Sequence, residues 1–179
     1  MRDSQIRSSL HYLTYIEHSE SLKLAADDNL PRVIELSKTW HLNNNRVKVL
    51  GLLSATLLLY ALSIELILKA RALYIEKERI KSGEIDSYQS FLKQWKGKSN
   101  GHDVEKLIEH YKIQISESDK DLIKNFKQHM IWAGRFPYPI NNEQTRAMES
   151  SGRKTGSINN KHDQIVQAFI DKQKFEMFK

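Results

Sequence analysis

The hydrophobic positions of this chain recur at helical spacing, and no stretch alternates apolar with polar residues for long enough to predict a strand. The most apolar run, Val49–Leu68, lies within a span from Val47 to about Lys81 that contains no proline. One long helix is therefore predicted there, about 50 Å in length at about 1.5 Å per residue. Because its first half is apolar nearly all round, we expect neighbouring helices to bury it on most sides.

Weaker helical patterns surround this central helix. Residues of about 3–26 predict an N-terminal helix with Leu10, Leu13 and Ile16 on one face, and a second helix is predicted to begin near Pro31, whose fixed φ suits a first turn. Further helices are expected around Phe91–Trp95, from Asp103, from Ser116 or Ser118, and over about His162–Phe178. The predicted fold class is all-α, a helical bundle built around one long central helix.

One stretch interrupts the helical patterns near the C-terminus. Residues of about 141–160 are rich in Asn, Ser, Gly and Thr and carry few large apolar side chains, which predicts a mobile loop. The final helix is expected to face Ile165, Val166, Phe169 and Ile170 inward. With 179 residues and no internal repeat, the chain is interpreted as a single domain over 1–179.

Composition narrows the possible functions. The chain has no cysteine, which excludes thiol catalysis and thiolate zinc sites and suits a reducing cytoplasm. It has no H-E-x-x-H, P-loop or dinucleotide-binding motif, so neither a metal nor a cofactor is expected. The net charge of +6 is compatible with an anionic partner, although the lysines are dispersed.

The apolar run raises the question of a membrane span. The uncharged segment Val49–Ile64 is shorter than the about 20 residues that a bilayer requires, and extending it brings in Glu65. We therefore expect no membrane span and a cytoplasmic location.

Two charges, Glu65 and Lys69, lie near the end of this apolar run. They are one helical turn apart, so both side chains point from the same face of the central helix. Burying such a pair costs several kcal/mol per ion unless further polar groups complete their surroundings. The sequence should therefore supply partners for them.

Two downstream segments are candidates for that role. Gly101 allows a tight turn that places His102 and Asp103 at a helix N-terminus. In Arg135–Pro139 two prolines restrict the backbone and hold the side chains of Arg135 and Tyr138 in defined directions.

We therefore predict one polar cluster on the central helix. Its members are Glu65, Lys69, His102, Asp103 and Arg135, with Tyr138 nearby. Two interpretations remain open at this point: a satisfied network that fixes helix register, or a pocket where the two basic side chains and the histidine receive an anion such as a nucleotide phosphate.

Three motifs resemble signatures of the HEPN-like superfamily. Glu65–Ala70 is similar to its E-x-x-x-K-A motif, Gly101–Leu107 to G-H-D-L-x-x-L, and Arg135–Pro137 to R-Y-P. Val104 stands for the usual leucine and Phe136 for the usual tyrosine. The resemblance covers residues of about 50–140, with the motifs in the family's order.

The resemblance implies a helical bundle, with a core of about 28–179, that usually forms a homodimer in prokaryotic toxin–antitoxin, phage-defence or RNA-processing systems. Many such proteins are metal-independent endoribonucleases with an R-x(4–6)-H motif. This chain lacks that spacing: Arg7 is too close to His11 and Arg153 too far from His162. Arg153 and His162 remain candidates if the fold brings them together, as does His102.

The expected function is thus a HEPN-like module that dimerises and binds RNA, a nucleotide or a protein partner from the same operon, without catalysis of its own. A divergent metal-independent endoribonuclease is one alternative. A helical or membrane-associated subunit with no nucleic-acid role is another.

Overall fold

The computed structural model of the chain describes residues 9–97, 101–136, 138, 139, 141–150 and 155–179. Across these ranges every regular element is a helix, and one long central helix packs against the others, so the predicted all-α bundle is confirmed. The elements in chain order are α1 (Tyr12–Ser37), α2 (Asn43–Ile75), α3 (Lys77–Lys81), α4 (Tyr88–Trp95), α5 (Val104–His110), α6 (Glu117–Gln128), a π-helix (His129–Ala133), α7 (Asn142–Ser150) and α8 (His162–Phe178).

Helix α1 is continuous where the sequence predicted two helices. Pro31 lies inside it, two residues before the buried Val33 and directly after the buried Leu30. A proline inside a helix costs about 3 kcal/mol, and here the packing of α1 along α2 offsets that cost. The predicted helix start at residue 3 lies outside the described residues, while residues 9–11 are not helical. Leu13 is exposed, contrary to the prediction.

The two longest helices approach each other closely at a pair of serines. Ser19 Oγ donates to the Ser63 carbonyl at 2.8 Å, and Ser63 Oγ donates to the Ser19 carbonyl at 2.8 Å. Both side chains are fully buried. Small side chains that satisfy each other's polar atoms let the backbones of α1 and α2 lie side by side without leaving a buried hydroxyl unpaired.

Burial along α2 is uneven. From Leu57 to Leu73 most side chains are buried, but between residues 45 and 55 only Val49 is. The prediction that the first half would be buried on most sides is therefore wrong, because the C-terminal helices cover only the second half. Among the described residues, Asn45–Ile75 is long and apolar enough to cross a membrane by length and composition alone, and 44% of its most apolar window is buried.

The C-terminal helices complete the core over the second half of α2. Helix α8 spans the predicted range and buries Val166, Phe169 and Ile170 as expected. Ile165 is exposed instead, because it lies one position off the buried stripe that continues to Gln173.

The stretch predicted as a loop contains a helix, so that prediction is wrong for residues 142–150. Asn141 accounts for its start: its side-chain Oδ1 accepts a hydrogen bond from the Gln144 backbone N–H at 2.9 Å. Met148 is buried and anchors the helix. The Asn-rich composition thus marks a helix cap here. Residues 155–161 are not helical, as predicted.

Candidate functional site

Glu65 and Lys69 form an ion pair inside the bundle. Lys69 Nζ donates to Glu65 Oε1 at 2.6 Å, and only 3% of the Glu65 side chain and 5% of the Lys69 side chain are exposed. The ring of Tyr88, at the start of α4, lies beside the lysine with its centroid 6.0 Å from Nζ. Lys69 is therefore enclosed by the bundle and cannot receive an anion from solvent. The predicted anion pocket, if present, does not include Lys69.

His102 is the second partner of the Glu65 carboxylate. Its Nδ1 lies 3.0 Å from Glu65 Oε1 and 3.2 Å from Oε2. An ionised carboxylate only accepts hydrogen bonds, so this contact assigns the proton to Nδ1 and leaves the lone pair of a neutral ring on Nε2. The His102 side chain is 26% exposed, which puts it at the boundary between the buried pair and solvent.

The turn before α5 holds His102 in place. Gly101 has a φ of +86°, in the left-handed region that favours glycine, and a Cβ there would lie 3.0 Å from Leu92 Cδ2. The chain therefore turns tightly against α4 before the helix begins at Val104. This agrees with the role that the sequence predicted for the glycine.

Arg135 reaches the same histidine from the end of the π-helix. Its Nη1 lies 3.5 Å from His102 Nε2, which is long for a hydrogen bond. The guanidinium is exposed, and within the described residues it forms no ion pair with a carboxylate. Arg135 is therefore a cation whose hydrogen-bonding capacity is largely unused.

A close contact with α2 positions Arg135. A Cβ on Gly134 would lie 2.4 Å from Leu58 Cδ1 and 2.9 Å from Leu58 Cγ, so only glycine fits at this point without a shift. Leu58 is two helical turns before Glu65 and lies on the same side of α2. The contact thus sets the end of the π-helix against the face that carries the ion pair.

The pKa values of the buried pair reflect competing effects. Burial by itself would raise the pKa of the Glu65 carboxyl, but the hydrogen bond from His102 and the charge of Lys69 outweigh it, and the pKa lies below its usual value. Burial would lower the pKa of Lys69, but the Glu65 charge raises it above its usual value. Both groups are charged at neutral pH.

The structure thus brings together four of the six predicted cluster residues, in the order Lys69, Glu65, His102, Arg135. Asp103 makes none of these contacts within the described residues. Its carboxylate lies 3.7 Å from Lys106 Nζ instead.

Asp103 and Tyr138 have surroundings that differ from those of the four connected residues. Asp103 occupies the N-cap position of α5, and its Oδ1 is buried with no hydrogen-bond partner among the described residues. Tyr138 is 68% exposed and follows the exposed Phe136. Two aromatic side chains are thus open to solvent within three residues of Arg135, a combination suited to stacking on nucleic-acid bases.

The alternative catalytic candidates occupy a different part of the bundle or fall outside the described residues. His162 is buried, and its Nδ1 accepts a hydrogen bond from the Asn159 backbone N–H at 3.0 Å. Burial lowers the pKa of His162, which keeps the ring neutral. This is the environment of a structural histidine. Arg153, its predicted companion, lies outside the described residues.

A groove of about 1010 Å³ opens beside Asp103, between α5, α6, the start of α7 and residues 155–157. Its apolar lining includes Ile108 and Ile123, and its walls carry both lysines and carboxylates, among them Lys124 and Glu109. This mixture of charges does not single out an anionic occupant. No group of three or more potential His, Asp or Glu metal ligands occurs in the part of the chain that the structure describes.

No family model, curated protein or solved structure matches this chain.

Proposed function

We propose that the protein is a HEPN-like helical module that binds single-stranded RNA at the exposed edge of the cluster formed by Lys69, Glu65, His102 and Arg135. The observation that carries the proposal is the position of Arg135: an exposed guanidinium, without a carboxylate partner in the described residues, placed 3.5 Å from the Nε2 of a histidine that Glu65 orients. Arginine recognises phosphate through paired N–H donors.

Three groups around this point match three parts of a ribonucleotide. Arg135 turns its guanidinium to the phosphate, and the ribose 2′-hydroxyl then donates to His102 Nε2 in place of the long 3.5 Å contact from Arg135 Nη1. The exposed rings of Phe136 and Tyr138 offer surfaces on which bases stack. The hydroxyl contact is the one that distinguishes RNA from DNA, because DNA lacks that donor.

The buried pair has a supporting role in this proposal. Lys69 keeps Glu65 ionised, and Glu65 fixes the tautomer and orientation of His102. The two interpretations left open by the sequence are then compatible, because the same contacts that satisfy the buried charges also prepare the exposed edge.

The second candidate is a divergent metal-independent endoribonuclease, favoured by the contact between Glu65 and His102 Nδ1. A histidine oriented by a carboxylate, with its other nitrogen facing an exposed arginine, has the arrangement of a general base. We prefer binding without catalysis because the sequence lacks the R-x(4–6)-H spacing of the active relatives. A homodimer, and a protein partner from the same operon, belong to the same proposal and are tested by light scattering and co-purification.

The experiment compares the affinities for a fluorescent oligoribonucleotide and for the DNA of the same sequence, measured by anisotropy at fixed salt. Since a neutral hydrogen bond contributes about 1 kcal/mol, we expect RNA to bind about fivefold more tightly. His102→Ala should remove that preference, and Tyr138→Ala should weaken both complexes. Equal affinity of the wild type for RNA and DNA would contradict the proposed 2′-hydroxyl contact. Shortening of the RNA by the wild type, abolished in His102→Ala, would replace binding with the ribonuclease alternative.

A further inference from the structure

The turn between α1 and α2 presents an apolar surface that nothing in the described structure covers. We define the hairpin tip as residues 38–55. Trp40 is 54% exposed and Val47 is 76% exposed, and Leu42 and Leu50 are exposed as well. Exposure of four large apolar side chains within eleven residues is unusual for a soluble surface and marks a candidate contact site.

The charges of the hairpin tip are all positive. Between Glu35 and Glu65 the sequence contains no acidic residue. Lys38, Arg46 and Lys48 are all exposed and alternate with the apolar side chains. A surface that combines apolar side chains with cations is complementary to anionic lipid headgroups over a hydrocarbon layer.

We propose that the hairpin tip inserts into the interface of an anionic membrane, so that the protein binds lipid peripherally. Trp40 suits this position because an indole ring favours the boundary between headgroups and hydrocarbon. The cations then lie level with the lipid phosphates, while Val47 and Leu50 enter the upper hydrocarbon layer. This contact is independent of the RNA site, whose supporting pair, Glu65 and Lys69, lies on the second half of α2.

The tip lies on the membrane surface and does not extend to a span of the bilayer. From Leu57 onward α2 is enclosed by the other helices, and the buried ion pair of Glu65 and Lys69 lies within that enclosed half. Moving this half into lipid would require the bundle to open and expose the pair to hydrocarbon. Only the half of α2 before Leu57 can therefore contact lipid.

A second copy of the chain is the competing occupant. A symmetric contact between two tips would place the cations of both copies, Lys38, Arg46 and Lys48, in one interface with no acidic side chain in either tip to compensate. Charge therefore favours an anionic lipid surface over self-association through this patch.

Tryptophan fluorescence of the full chain tests the proposal. The chain has three tryptophans, of which Trp95 and Trp132 are buried and Trp40 is exposed, so a change on lipid addition reports on the tip. We expect vesicles of phosphatidylcholine with phosphatidylglycerol to shift the emission to shorter wavelength and to sediment the protein. Vesicles of phosphatidylcholine alone should bind at least tenfold less.

The double variant Val47→Ser/Leu50→Ser should reduce sedimentation with anionic vesicles at least tenfold, with an unchanged circular dichroism spectrum. Phe175→Ser is the matched control, because Phe175 is also exposed but lies on α8, and it should bind like the wild type. Failure of the wild type to bind either vesicle would overturn the proposal. So would a wild-type dimer by light scattering that the double variant converts to a monomer.

Discussion

Replacing Glu65 by leucine should destabilise the protein strongly, because it leaves the Lys69 ammonium in the core without its partner. The two side chains are 3% and 5% exposed, so water cannot replace the lost interaction. Removing one member of a buried pair costs about 3–5 kcal/mol. In a chain of this length 1 kcal/mol corresponds to about 2–4 °C in Tm, so Glu65→Leu should lower the Tm by about 6–20 °C.

Lys69→Met should cost less than Glu65→Leu. The Glu65 carboxylate keeps His102 as a hydrogen-bond partner in this variant, at 3.0 Å from Nδ1, and is therefore not left alone. The double variant Glu65→Leu/Lys69→Met removes both charges and keeps similar side-chain volumes. Replacing a buried ion pair by packed apolar groups is often neutral or stabilising, so the double variant should recover to within about 1 kcal/mol of the wild type.

Urea unfolding followed by circular dichroism gives the four free energies of this cycle. The matched control is the pair of Glu78 and Lys81, whose side chains are 70% and 69% exposed. Glu78→Gln and Lys81→Met should each change the free energy of unfolding by less than about 0.5 kcal/mol. A cost of less than about 1 kcal/mol for Glu65→Leu would show that Lys69 does not need its carboxylate partner. A double variant no more stable than Glu65→Leu would show the same.

The ion pair of Glu65 and Lys69 should also make the stability depend on pH. Because the folded pKa of Glu65 lies below its unfolded value of 4.5, the contribution of Glu65 is present above pH 4.5 and is lost as the pH falls through the folded pKa. The pKa of Lys69 is raised from 10.5, so its contribution is present below pH 10.5 and is lost as the pH rises through the folded pKa. The change in unfolding free energy with pH, measured by urea unfolding, should be smaller in the double variant at both the acidic and the alkaline end.

Three further predictions concern the packing around Gly134, Asn125 and His162. Gly134→Ala should cost about 1–3 kcal/mol in urea unfolding, since the new Cβ would lie 2.4 Å from Leu58 Cδ1, and Leu58→Ala in the same chain should recover part of the loss. Asn125→Ala should cost about 1–3 kcal/mol, because it removes the hydrogen bonds that Asn125 makes to the Ser157 backbone. The control is Lys124→Ala at the exposed neighbouring position, which should be neutral, and equal losses in the two variants would contradict this explanation. Because the folded pKa of His162 lies below 6.5, its contribution to stability is present above pH 6.5 and is lost as the pH falls through the folded pKa. His162→Gln should therefore reduce the change in unfolding free energy with pH in this range. An unchanged pH dependence would show that burial does not keep the ring neutral.

The sequence predicts the centre of this fold better than its outer parts. The long helix follows from an apolar run with no proline, and its observed range of Asn43–Ile75 includes that run. Local signals failed where tertiary packing decided the outcome. Pro31 is a reliable helix-start signal in isolation, but the buried faces on both sides of it hold α1 together. Periodicity also could not show that the first half of α2 would be left exposed, because an apolar face does not reveal what covers it.

For the site as well, the sequence predicted the buried centre better than the contacts around it. The need to compensate Glu65 and Lys69 correctly predicted the contact with His102, because the cost of a buried charge can be read from the sequence. Arg135 contacts His102 at 3.5 Å and not the ion pair itself. The fit of Gly134 against Leu58 could not be anticipated, since no local pattern predicts a π-helix or a contact between distant segments. The spacing of seven residues between Leu58 and Glu65 is compatible with a shared face of α2 but does not indicate which segment packs there.

The RNA affinity of Arg135→Gln tests the proposed site most directly. Arg32→Gln is the control, because Arg32 is also exposed and forms no ion pair within the described residues, but it lies on α1. With the same oligoribonucleotide and salt concentration, loss of an arginine–phosphate contact of about 1.5–3 kcal/mol predicts at least about tenfold weaker binding for Arg135→Gln. Arg32→Gln should lose less than about threefold. Equal losses in the two variants would show that RNA binds through general surface charge, and would contradict the site proposed at His102 and Arg135.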